Sequence, residues 1–291
     1  KYIGMMVHMI AEGSATSACI GIFKGNTDRV ACAKAIRDLL KLRKDWFVAS
    51  STVDDSFRFI RNVISNNGVL VMMNGIVGNN THRPLDIEEF RAFAMVDEYA
   101  PLIFINTNDS GNGRLFSLLH EFAHVCVGEN DFFNDRNSTA TSVRPVEVLC
   151  NAVAAEILVP QDVFLQQWDE YIESNTAKDT VEILAKYFKC GITVIARKAL
   201  DNNKIESALY HEIAALAVNR YTDKRRRDKE NGTLGGNYYR TAASRIDGRF
   251  FRMLVDSIAE GKTLYTDAFR LTNTNRSTFA RLVESQIGGV Q

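Results

Sequence analysis

Apolar residues recur at helical spacing over residues 26–42, with Val30, Ala33, Ile36, Leu39 and Leu40 on one side, and over residues 53–65, through Val53, Phe57, Ile60, Val63 and Ile64. Both stretches predict amphipathic helices. Asn66-Asn67-Gly68 ends the second, and the apolar run 69–73 follows, so a helix hands over to a strand. Residues 90–96 and 102–106 predict two more strands on either side of a turn at 97–101, while the polar stretch 74–83 reads as a loop. Residues 115–127 are apolar nearly all round, which marks a buried helix, with Gly128 as its stop. A further helix opens after Pro145 and ends near Pro160, with Val146, Leu149, Val153 and Leu158 at its apolar positions. Beyond it the pattern is helical at 161–168, 180–187, 192–200, 205–221, 250–258, 266–271 and 278–283. The fold class expected is α+β: a small antiparallel or mixed sheet packed on the two central helices, one side covered by the first of them, then a mostly helical C-terminal part. Residues 180–200, with Cys190-Gly191 as the turn, have helix-turn-helix proportions.

The buried helix carries chemistry that burial alone does not explain. It contains His120-Glu121-Phe122-Ala123-His124, the pattern H-E-x-x-H. On a helix the two histidines stand one turn apart on one face, so both imidazoles can reach one ion, while Glu121 sits about 100° round and can touch a metal-bound water. Zinc lowers the pKa of such a water toward neutrality, and a carboxylate beside it takes the proton. A chance match or a pair of core histidines would satisfy the same pattern, so a third ligand is the discriminator. Glu147 on the next helix is the leading candidate. Glu156, nine residues on, points to the opposite side, Asn151 shares the face of Glu147, and Cys150 is the rival ligand, since a thiolate binds zinc well. The polar loop 129–144 between the two helices is either a gate beside the site or a surface connector. Its Asp131 and Asp135 rank below Glu147 as ligands.

The run Leu118-Leu-His-Glu-Phe-Ala-His124, followed by Glu147-x-x-Cys-Asn151-x-x-Ala-Ala-Glu-Ile-Leu-Val-Pro160, resembles the ImmA/IrrE family of metallopeptidases. Residues 85–94 and 101–106 are similar to the strands that precede the zinc helix in that family, and residues 184–200 to its helix-turn-helix-like segment. The resemblance covers about residues 53–205. It implies a zinc endopeptidase that cleaves a helix-turn-helix transcriptional repressor and so switches on genes of a mobile element or a stress response. On this reading Zn2+ is the cofactor, His120, His124 and Glu147 are its ligands, Glu121 is the general base, and Asn151 and Cys150 stand behind them. The expected organisation is an N-terminal helical segment at 1–50, a zincin-like metallopeptidase domain at 51–175, a helix-turn-helix-like region at 176–222, and a linker with a C-terminal helical unit at 223–291. The reading from another class is a non-catalytic regulatory module that binds DNA or a repressor and keeps zinc as a structural ion, in a closed site with Cys150 added.

Composition narrows the partners. A hydrophobic content of 46% with a formal net charge of zero over 291 residues describes a soluble globular protein and argues against a general coat for nucleic acid or membrane, although a local basic patch would not show in the total. Direct DNA contact stays open: the second helix of the 180–200 pair has only Arg197 and Lys198 as basic residues, which suits docking to a protein better than groove reading. The basic run 224–229 reads as a solvated helix end leading into a flexible link. Five scattered cysteines without a C-x-x-C pair fit a reducing cytoplasm. No stretch approaches twenty apolar residues, so neither a signal peptide nor a membrane span is expected. Lacking an initiating Met, the chain reads as a fragment or a processed product, and His8 has no assigned role.

Overall fold

The computed structural model describes residues 4, 5, 8, 9, 13, 16–128, 144–231 and 238–286. Its centre is a three-stranded mixed sheet. Strand β1 (Leu70–Asn74) runs parallel to β5 (Leu102–Asn106), and β4 (Ala92–Met95) pairs antiparallel on the other side of β5. Alternation along the strands sorts the side chains cleanly. Val71, Met73, Ala92, Ala94, Ile103 and Ile105 enter one hydrophobic core, and Leu70, Met72, Phe93, Met95, Leu102 and Phe104 belong to a second on the opposite face. Burial on both faces is why the strands read as near-continuous apolar runs.

The first core is built by α1 (Arg29–Leu40), α2 (Val53–Asn66), α3 (Gly111–Val127), α4 (Pro145–Leu158), α5 (Gln161–Ile172), α6 (Ala177–Tyr187), α7 (Ile192–Asp201) and part of α8 (Ser207–Glu230). Helix α2 starts on a capping box between Thr52 and Asp55, with Asp54 and Asp55 in its positive first turn. Helix α3 starts when the Ser110 hydroxyl accepts the Gly113 N–H at 3.0 Å. A Cβ at Gly113 would collide with the Asp109 carboxylate. The helix stops at Gly128, whose φ of 82° lies in the left-handed region that glycine tolerates. The second core is roofed by α9 (Tyr238–Arg245), α10 (Gly248–Ala259), α11 (Tyr265–Thr272) and α12 (Arg276–Gln286). One carboxylate ties this roof to the sheet. Asp247 caps α10, accepts the Ser65 hydroxyl at 2.9 Å and accepts the β1 backbone N–H of Val71 at 3.0 Å, while Arg61 donates to the Val71 carbonyl at 2.8 Å. The outer edge of β1 is thereby closed by side chains rather than by another strand.

The α+β reading holds, and the differences from expectation are local. Residues 74–83 are not a plain loop: β2 (Ile76–Val77) and β3 (Asn80–Pro84) form an antiparallel hairpin around Gly78, whose φ is 60°. Strand β3 is exposed throughout and β2 is only the two residues Ile76 and Val77, so neither carries an alternation for the sequence to display. Of residues 85–96 only Ala92–Met95 is strand. Val30 faces outward at 47% exposure instead of joining the inner side of α1. Helix α3 begins at Gly111, ahead of the apolar run at 115–127, and α8 runs through the basic residues 224–229. The loop 129–143 with Asp131 and Asp135, much of residues 1–15, and the link at 232–237 lie outside the described residues. Among the described residues no single helix is long and apolar enough to cross a membrane. The bent pair α4 and α5 meets that test only jointly, and α4 buries Cys150, Val153, Ala154, Ile157 and Leu158 in the protein core.

Candidate metal centre

Helix α3 lies between the sheet and α4, with His120, Glu121 and His124 all buried. Helix α4 begins with Pro145 at its first position, and Glu147 falls in its first turn, where the helix dipole favours a carboxylate. The two helices bring three donors together. His120 Nε2 and His124 Nε2 are 3.1 Å apart, Glu147 Oε2 is 3.4 Å from the former, and Glu147 Oε1 is 3.3 Å from the latter. A tetrahedral ion with bonds of about 2.0 to 2.1 Å requires ligand atoms separated by roughly 3.3 Å. These separations therefore fit an ion of zinc size, and two imidazoles with one carboxylate are a donor set that zinc takes. The ring of Phe116, one turn before His120, stacks on that imidazole at 6.4 Å and 22°. His120 Nδ1 is buried with no hydrogen-bond partner among the described residues.

The electrostatics point the same way. Hydrogen bonds from His120 and then His124 hold the Glu147 carboxyl well below the usual range, against a smaller opposing effect of burial. Burial is the largest influence on His124 and disfavours its charge, yet hydrogen bonds with Cys150 and Glu147 and the field of Glu121 push it up to about 10. Such a cluster draws positive charge. A metal ion satisfies that demand by displacing the imidazole proton.

The remaining sequence candidates separate. Cys150 is fully buried and shares a hydrogen bond with His124, but among the described residues the three groups whose donor atoms lie within 4.8 Å of one another are His120, His124 and Glu147. Burial raises the Cys150 thiol, and His124 only partly offsets it. Asn151 is exposed one turn beyond Glu147. Glu156 lies on the far face as expected, buried and 2.7 Å from Lys198 Nζ. The Phe116 contact was not anticipated, although its four-residue spacing to His120 would have shown it.

Residues 68–200 match the model of a peptidase family described as the IrrE N-terminal-like domain, which supports the ImmA/IrrE resemblance of the sequence. Residues 246–285 match a second model, a domain of unknown function (DUF8813). No curated protein and no solved structure matches the chain.

Proposed function

We propose that the chain is a zinc-dependent endopeptidase in which His120, His124 and Glu147 hold the ion and Glu121 is the general base. The observation that carries this reading is the convergence of two Nε2 atoms and a carboxylate at separations of 3.1 to 3.4 Å. Zinc, when bound, supplies Lewis acidity for the scissile carbonyl and lowers the pKa of a water toward neutrality. Glu121 takes the proton of the attacking water and returns it to the leaving amine. Cys150 fixes the orientation of His124, and Asn151 supports the site from the solvent side.

The family match supports a protein as substrate. Within that class we take the substrate to be a helix-turn-helix transcriptional repressor whose cleavage derepresses mobile-element or stress-response genes, and the compartment to be the cytoplasm. We take the peptidase domain to span 51–175, after an N-terminal segment at 1–50. The helical region 176–222 then serves substrate docking, ahead of the C-terminal unit at 223–291. The test is metal analysis of the purified chain with a cleavage assay against the repressor encoded nearest to it. One zinc per chain is expected, and Glu121→Gln should keep the metal while cleavage falls by roughly 10²- to 10⁴-fold. A chain that binds no transition metal, or a Glu121→Gln variant that cleaves normally, would overturn the assignment.

A further inference from the structure

The sheet has a second face, and a cavity of about 200 Å³ lies between that face and the C-terminal helices. Met72, Phe93, Met95 and Phe104 form its floor, and Ala242 on α9 and Leu271 on α11 its roof. Phe93 and Phe104 stack at 5.2 Å and 9°, which gives the floor a flat aromatic panel. Phe104 is the one residue of the otherwise buried strand β5 that stays only half-buried, because the helices above it do not close down on the sheet. A water fits in roughly 10 to 15 Å³ by this measure, and an apolar cavity of ~150 Å³ stays dry and takes up benzene. The space beneath α9 and α11 is therefore of small-ligand size.

Its polar groups gather on one side. Arg245 is the only charged residue among the described lining. Its Nη1 donates to the Asn79 side-chain oxygen at 3.4 Å, and Asn79 in turn donates to the Asn273 carbonyl at 3.0 Å, so the β2–β3 hairpin is fastened to the end of α11 beside the guanidinium. The Thr272 and Thr274 hydroxyls meet at 2.7 Å on the same rim. An apolar chamber with one guanidinium and a few neutral hydrogen-bonding groups matches a molecule with an apolar body and a single negative charge. A dianionic phosphate would call for more cations than one.

We propose that this cavity is a binding site for a small monocarboxylate with a flat apolar body of about ten carbons, separated by the sheet from the metal centre. The body lies on the Phe93–Phe104 panel and the carboxylate meets Arg245. The segment of unknown function, residues 246–285, supplies much of the roof and rim.

The experiment uses the whole chain labelled with ¹³C at the methionine methyls and titrated with 2-naphthoate, with uncharged 2-naphthamide as the matched probe. Saturable shifts of the Met72 and Met95 methyls are expected while Met253, outside the lining, stays put. The amide should bind at least tenfold more weakly. Arg245→Gln, a change at the rim, should weaken naphthoate about tenfold and erase the preference over the amide, and Ala242→Phe should fill the chamber and abolish the shifts. The idea is overturned if Met72 and Met95 do not respond, if the amide binds as well as the acid, or if Arg245→Gln binds naphthoate like the parent. None of these readouts needs metal or cleavage, so they stand apart from the peptidase reading.

Discussion

Lys198 on α7 and Glu156 on α4 meet at 2.7 Å with both side chains buried, and the same ammonium is held by the Val159 carbonyl while the carboxylate accepts the Gln161 backbone N–H at 2.9 Å. The pair anchors the C-terminal end of the helix whose first turn carries Glu147. Burial pulls the Lys198 ammonium below its usual range, against the opposing pull of Glu156, so the charge survives there through its partner. Removing one partner leaves an uncompensated buried charge. Glu156→Ala should therefore cost about 3 to 5 kcal/mol, whereas the double change Glu156→Leu, Lys198→Met should recover much of that loss. Urea unfolding of the three proteins checks it, and a single variant as stable as the parent would remove the anchor role.

How much of this was visible beforehand depends on the range of the interaction. His120, Glu121 and His124 share one helix, so their geometry follows from the 3.6-residue period, and the same period sent Glu156 to the far face of α4. The partner of Glu156 lies 42 residues away, and no local pattern names Lys198. The strands were legible as apolar runs, but a run buried on both faces does not say what covers the second face. Only the packed chain shows residues 238–286 doing so. The β2–β3 hairpin was missed because β3 is exposed along its whole length and β2 is two residues long, which leaves no apolar alternation to read.

Asp247 is the hinge pin of that covering. It accepts from Ser65, Val71, Arg249 and Phe250 at 2.9 to 3.1 Å, joining α2, β1 and α10 through one buried carboxylate. Asp247→Ala should strip a helix cap and leave buried donors unsatisfied, a loss of roughly 2 to 4 kcal/mol. Hydrogen exchange should rise in α10 to α12 before it rises in α3. Uniform loss of protection throughout the chain would contradict a local tie.

The metal-free centre has a defined pH dependence. A histidine raised from 6.5 to about 10, as His124 is, contributes its stabilisation fully below pH 6.5 and loses it as pH climbs through 10. A carboxyl depressed from 4.5, as Glu147 is, contributes above pH 4.5 and loses its share as pH falls. With chelator present, the contribution of this pair to stability should be largest between pH 4.5 and 6.5 and decline toward pH 10. Zinc requires the imidazoles neutral, so added zinc should stabilise more at pH 9 than at pH 6. Melting temperatures at the two pH values, with chelator and with zinc, give the comparison. Equal zinc shifts at both would argue against proton displacement at His124.

The third ligand is where the two readings of α4 part most sharply. Glu147 lies 3.3 to 3.4 Å from both imidazole nitrogens, whereas Cys150 touches His124 from within the core. If Glu147 completes the site, Glu147→Ala should weaken zinc by at least 10²-fold, because a three-ligand centre is cut to two. Cys150→Ser keeps a hydrogen-bonding group next to His124 but exchanges a buried thiol for a hydroxyl. It should cost modest stability and less than about tenfold in metal affinity. Glu156→Ala, on the far face, should lower stability and leave zinc affinity unchanged at equal folded fraction. Competition titrations with a chromophoric chelator on the three variants, each corrected for its folded fraction, rank them directly. Zinc lost with Cys150→Ser and kept with Glu147→Ala would transfer the ligand role to the thiol and turn the site toward a structural one.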